Sequence, residues 1–168
     1  MPKTTTHSAL EPAHIGLSED AKIGIVNTLN TLLSDEFALY TKTRNYHWNV
    51  RGPRFHSLHI FFEKQYEELD ELMDEVAENA RQFGGVALGR MADFLEHTNL
   101  KEAPAKQQNE DQMIEDLLKD HEIVIQFVRE KIDEADDKLK AADAADFLTS
   151  VLEAHNKMAW MLRSHLTK

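Results

Sequence analysis

The sequence predicts an all-α fold: four long helices packed as a bundle, with a short extra helix inside one long crossover connection. Three observations predict it. Apolar residues recur at the helical period over four long segments, glycine and proline fall between those segments, and no stretch alternates with the two-residue period of a strand. At 168 residues the chain is long enough for one domain with its own core.

Taken in order, residues 1–17 hold Pro2, Pro12, Gly16 and a threonine cluster without periodicity, and read as a mobile tail preceding a domain over 18–168. Ser18 is suited to cap the first helix, with Glu19 and Asp20 at its positive end. Ile25, Leu29, Leu32, Leu33, Phe37 and Tyr40 then carry that helix to about Val50, where Arg51-Gly52-Pro53 ends it. A second helix spans about 55–83 and is closed by Gly84-Gly85, the residue type best able to adopt a left-handed C-terminal cap. Gly89 and Pro104 mark the crossover, with a short helix over 90–97. Asn109 and Gln112 form a capping-box pattern for a third long helix to about Glu134, and a fourth runs over about 142–166 with Phe147, Val151, Leu152, Met158 and Leu162 along it.

Composition narrows the chemistry. The chain has no cysteine, which excludes disulfides, thiolate zinc sites and iron-sulfur clusters and leaves His, Asp and Glu as ligands. A net charge of -11 repels nucleic acid and anionic lipid and concentrates cations. No apolar run reaches membrane-spanning length and no secretion signal opens the chain, so the expected location is the cytoplasm.

One cluster of ligand-type residues stands out: His47, then His59, Glu63, Asp74 and Glu78. With His59 at zero on a helical wheel, Glu63, Asp74 and Glu78 fall at about 40°, 60° and 100°, on one face beside the apolar sector of Leu58, Phe62, Leu69 and Val76. Glu67, Glu68, Glu71 and Glu75 spread further round and read as a solvated face. Along the axis, however, Glu63 and Asp74 are about 16 Å apart, too far to share one ion. Two copies of the helix crossing antiparallel about a two-fold axis would bring His59 and Glu63 of one chain opposite Asp74 and Glu78 of the other, giving two equivalent sites. Spacing alone leaves open the plainer alternative of an acidic helix face with structural histidines.

The run His47-Trp48-Asn49-Val50-Arg51-Gly52, followed by Leu58-His59 and Glu63, resembles the first signature of the Dps family, small ferritin-like proteins. Asp74, Glu78 and Gly84-Gly85-Val86-Ala87-Leu88-Gly89 resemble its second conserved region. The likeness extends from about Ser18 to Leu166, including Trp160. It implies a ferritin-like four-helix bundle and a di-iron ferroxidase centre at a dimer interface, with His47, His59 and Glu63 from one subunit and Asp74 and Glu78 from the other. It further implies a hollow homo-oligomeric shell of twelve subunits that oxidises Fe(II) with hydrogen peroxide or dioxygen, stores the ferric mineral and so limits oxidative damage. Mixed imidazole and carboxylate ligation suits Fe(II), while the carboxylates favour the harder Fe(III).

The sequence departs from the family pattern at Glu63, where Asp is more frequent, and at Asn79, where Arg is usual. Trp48 beside His47 is an accessory residue, as a packing group or a nearby electron donor, and His56 is a further candidate ligand weighed against a surface role. Asp116 and Asp120 are candidates to line a pore, a role that an exposed acidic face would explain equally well. A conventional intrasubunit ferritin centre needs Glu-x-x-His pairs, and the only match, Glu11 to His14, lies in the tail and is broken by Pro12. Association with the nucleoid through DNA is the other family activity. It usually rests on basic terminal extensions, whereas this tail carries only Lys3, so DNA binding is expected to be weak or absent. His7 and His14 lack a supporting ligand set for a tail metal site.

Overall fold

A computed structural model describes residues 11–166. Its elements are α1 (Glu19–Asn49), α2 (Phe55–Gln82), a short α3 (Met91–His97), α4 (Glu110–Asp133) and α5 (Ala142–Leu166); among the described residues there is no strand. A π-helical turn, Glu134–Lys138, extends α4 and delivers the chain to α5 through Lys140 at φ 55°.

The ends of the helices follow their local chemistry. The Ser18 hydroxyl accepts from the Ala21 amide at 3.2 Å, satisfying one donor that the first turn leaves free. At Asn109 both capping-box bonds form, Gln112 N–H to Asn109 Oδ1 at 2.9 Å and Asn109 N–H to Gln112 Oε1 at 3.0 Å. At the end of α2, Gly84 takes φ 84° and the Gly85 amide reaches back to the Ala80 carbonyl at 3.0 Å.

Contacts at the ends fix the topology. The loop of 50–54 returns α2 antiparallel to α1. The Arg54 amide donates to Glu110 at 2.8 Å and Tyr46 reaches Gln108 at 3.0 Å, so α4 starts beside the start of α2 and runs parallel to it. Residues 83–109 must therefore travel back along the bundle, which is the crossover. Asp35 clamps it to α1, accepting from the Thr98 hydroxyl at 2.8 Å and from the Asn99 amide and side chain at 2.6 and 2.8 Å. Phe61 meets His165 at 4.5 Å between ring centres, which sets α5 antiparallel to α2.

Apolar stripes from all four long helices close one core. Leu29, Leu32, Leu58, Phe62, Leu117 and Leu162 are fully buried in it. Deleting one such side chain would cost roughly 2–5 kcal/mol. The lower tail is tied to this body: the Glu11 amide donates to the Gly84 carbonyl at 2.8 Å, Glu11 pairs with Arg81 at 2.7 Å, and Lys22 donates to the Ala13 carbonyl at 3.0 Å. The mobile tail expected over 1–17 is therefore anchored across 11–13, where α2 ends. His7 lies outside the described residues, and His14 is exposed.

Candidate metal centre

His47 lies in the last turn of α1, where backbone carbonyls have no helical partner, and His59 lies in the second turn of α2. The short connection folds the two turns against each other. His59 Nδ1 is 2.9 Å from the His47 carbonyl, and His47 Nδ1 is 2.8 Å from the His59 carbonyl. A carbonyl oxygen only accepts, so each Nδ1 carries a hydrogen, and Nε2 is the nitrogen left to act as a ligand. The rings stack at 3.8 Å between centres and 21° between planes. Fixing a histidine from its second nitrogen is how proteins prepare an imidazole for a metal.

Glu63 follows one turn after His59 and is half-buried, with the Tyr66 hydroxyl 3.4 Å from its Oε1. Tyr66 meets the His47 ring edge-on at 5.2 Å, and burial, together with the Glu63 charge, raises its hydroxyl pKa. Arg44 lies over Tyr66 and Trp48, at 4.6 and 5.3 Å from their centres, and donates to the Tyr40 hydroxyl at 2.7 Å. This layer of aromatic rings and one guanidinium walls the histidine side of the site.

Asp74 and Glu78 lie further along α2, exposed and without a hydrogen bond or ion pair among the described residues. A groove floored by Leu33, Phe37 and Met73 runs beside Asp74. Among the described residues no three His, Asp or Glu converge on a metal position within one chain. The structure thus brings His47, His59 and Glu63 together and leaves Asp74 and Glu78 apart from them. Trp48 is exposed beside Arg44, and His56 is exposed.

The alternative of an exposed acidic face for Asp116 and Asp120 needs correcting. Asp120 is buried and pairs with buried Lys42 at 2.6 Å, and Asp116 lies 3.5 Å from the same ammonium and accepts from the Tyr46 hydroxyl. Burial raises the Asp120 pKa, and the Lys42 ion pair opposes that shift. Both carboxylates fasten α4 to α1. Lys42 and Tyr46, which organise this contact, gave no sequence signal beyond helical position. Nor did Glu36, His121 and His155, which meet inside the core; a polar residue at a core-facing position was the one clue available.

The ferritin-like domain family matches residues 26–168. An uncharacterized low temperature-induced protein of Nostoc sp. is 40% identical over 91% of this chain and 86% of its own length. DNA protection during starvation protein 2 of Bacillus anthracis is 33% identical, covering 86% of this chain and 97% of its own. Among solved structures, DpsC from Streptomyces coelicolor superposes with a TM-score of 0.91 at 28% identity, over 95% of this chain and 92% of that one. The matches span the bundle and the histidine and carboxylate face, and the chain belongs to the ferritin-like family and, within it, to the Dps proteins.

Proposed function

We propose that this protein is a ferroxidase: it takes Fe(II) as substrate, oxidises it with hydrogen peroxide or dioxygen, and stores the ferric product inside a shell of twelve subunits. The observation that carries this reading is the pair of reciprocally fixed imidazoles, His47 and His59, beside Glu63, on the same face of the hairpin as the unpartnered Asp74 and Glu78. Each chain supplies two half-sites, and a two-fold partner completes both.

The chain's own groups divide the work. The Nε2 atoms of His47 and His59 offer neutral nitrogen suited to Fe(II), while Glu63, Asp74 and Glu78 supply anionic oxygen that favours the trivalent product, so the ligand set drives the oxidation forward. Tyr66 and Arg44 hold Glu63 and the ring layer and limit water on the histidine side. Glu63, one methylene longer than Asp, keeps the charge while extending the reach of the oxygen donors.

DNA binding is the competing reading. The net charge of -11 opposes it, and a salt-resistant gel shift by the purified full chain would support it. The ferroxidase reading is tested by loading Fe(II) anaerobically, adding peroxide or dioxygen, and following ferric absorbance for wild type, His59→Ala and Asp74→Ala. Both variants should be slower by about tenfold to a hundredfold, the scale expected when a metal site loses a supporting group. Wild-type rates in both would refute the assignment.

A further inference from the structure

Two facing imidazoles join α4 to α5 inside the core. His121 of α4 and His155 of α5 are completely buried, as is Glu36 of α1. His155 Nε2 lies 2.7 Å from Glu36 Oε1, and its Nδ1 lies 3.0 Å from His121 Nδ1. The carboxylate accepts, so His155 Nε2 carries a hydrogen. The gap between the two Nδ1 atoms is the length of one hydrogen bond and holds one hydrogen, so one ring donates and the other presents a lone pair. His121 Nε2, at the far end, is buried without a hydrogen-bond partner.

With Glu36 ionised, the trio accommodates one imidazolium. His155, with a hydrogen on each nitrogen, donates to Glu36 on one side and to His121 on the other. A second imidazolium does not fit, because two N–H groups of like charge would then point at each other across 3.0 Å. The surrounding groups offer it no relief. From α1, Asp35 is turned to Thr98 and Asn99, and Lys42 is paired with Asp120 and Asp116 of α4. The one buried polar side chain of α2, Gln65, donates to the Met158 carbonyl at 3.3 Å. The flanking charges of α4 and α5 pair at the surface, Glu122 with Arg163 and Lys157 with Glu68 of α2. Burial, with the His155 ring beside it, holds the His121 pKa well below the ordinary imidazole range.

We propose that the facing rings of His121 and His155 are an acid-sensitive joint between α4 and α5, closed while one hydrogen lies between their Nδ1 atoms and forced open when both rings are protonated. In an opened chain both rings meet water, and each takes a proton near the ordinary histidine pKa of about 6.5. The closed chain holds at most one of those two protons. The open state therefore binds more protons, so closure is at full strength above about pH 6.5 and its equilibrium constant falls roughly tenfold for each pH unit below. Asp35, whose pKa is raised, acts in the opposite sense, and does so equally in wild type and in variants at position 121. None of the three residues belongs to the two-fold centre, so the joint stands independently of the ferroxidase reading.

The test is hydrogen exchange of the full-length protein, read by mass spectrometry on peptides of α4 and α5 at pH 7.5 and 5.0 and corrected for the intrinsic pH dependence of exchange. In wild type the opening constant of these peptides is expected to rise about thirtyfold on acidification, the result of one proton taken up at an open-state pKa of about 6.5. His121→Asn places an amide where Nδ1 stands. The amide presents oxygen or hydrogen as His155 requires, so its rise should stay within about threefold. Circular dichroism checks that the variant is folded, and His121→Gln takes its place if it is not. A wild-type rise below about threefold overturns the joint whatever the variants do. So does a full rise retained in a folded variant, which places the titrating group elsewhere and identifies the trio as a hydrogen-bonded strut.

Discussion

His47 and His59 hold each other in one tautomer, each through the other's backbone carbonyl. Replacing His47 with alanine removes one nitrogen and the ring stacked on His59, while the backbone carbonyl that fixes His59 Nδ1 stays in place. The expected outcome is a fall of about tenfold to a hundredfold in Fe(II) affinity, measured by anaerobic titration, with helix content unchanged. Lys42 sits deeper, paired with buried Asp120 at 2.6 Å. Lys42→Met should destabilise the bundle by about 3–5 kcal/mol in denaturant unfolding, because it strands a buried carboxylate, and adding Asp120→Leu should recover most of that loss. Asp35 gives a pH signature. Burial pushes its pKa up to about 6 from the ordinary 3.8, so the folded chain holds this proton more tightly than the unfolded chain. Its ionised form thus weighs against folding above about pH 6, and its contribution improves as pH falls from there towards 3.8. The stability difference between wild type and Asp35→Asn, followed across that window, should move in wild type's favour on acidification.

Helix boundaries show what was legible in the chain and what was not. Ser18, the Asn109–Gln112 pair and Gly84 announce ends because each satisfies a local need, an orphan amide or a left-handed φ, that involves only neighbouring residues. Gly84→Ala tests this directly. A Cβ there would meet the Glu11 carbonyl oxygen at 2.8 Å in a backbone conformation that alanine resists, so a loss of about 1–3 kcal/mol and release of the 11–13 strap to proteolysis are expected. The ligand spacing on α2 was equally readable, because a helical wheel and a rise per residue suffice to place His59 and Asp74. The pairing of Lys42 with Asp120, the joining of Glu36, His155 and His121, and the anchoring of Glu11 at Gly84 were not readable. Each depends on which helices pack together and at what register, and periodicity carries no information about that.

At the scale of the whole molecule, exposed large apolar side chains lie on several elements, among them Trp48 on α1, Met91 and Leu95 on α3, and Trp160 on α5. Val86 is likewise exposed along the crossover, and among the described residues Asp74 and Glu78 on α2 have no hydrogen bond or ion pair. On the proposed reading the subunit holds half a metal site, and a two-fold contact would use every such group twice. If these residues share a metal, sequence spacing calls for a second chain, since one helix cannot bring Glu63 to Asp74. The subunit fold adds the reciprocally fixed imidazoles. Subunit mixing is the most direct measurement of the central claim. His59→Ala and Asp74→Asn chains, each expected to be at least about tenfold slower than wild type alone, are co-assembled and assayed for Fe(II) oxidation. Sites shared between chains predict recovery of about a quarter of the wild-type rate, because half the dimers are mixed and each mixed dimer has one intact site. No recovery from a mixture shown to contain both chains in one assembly would contradict it.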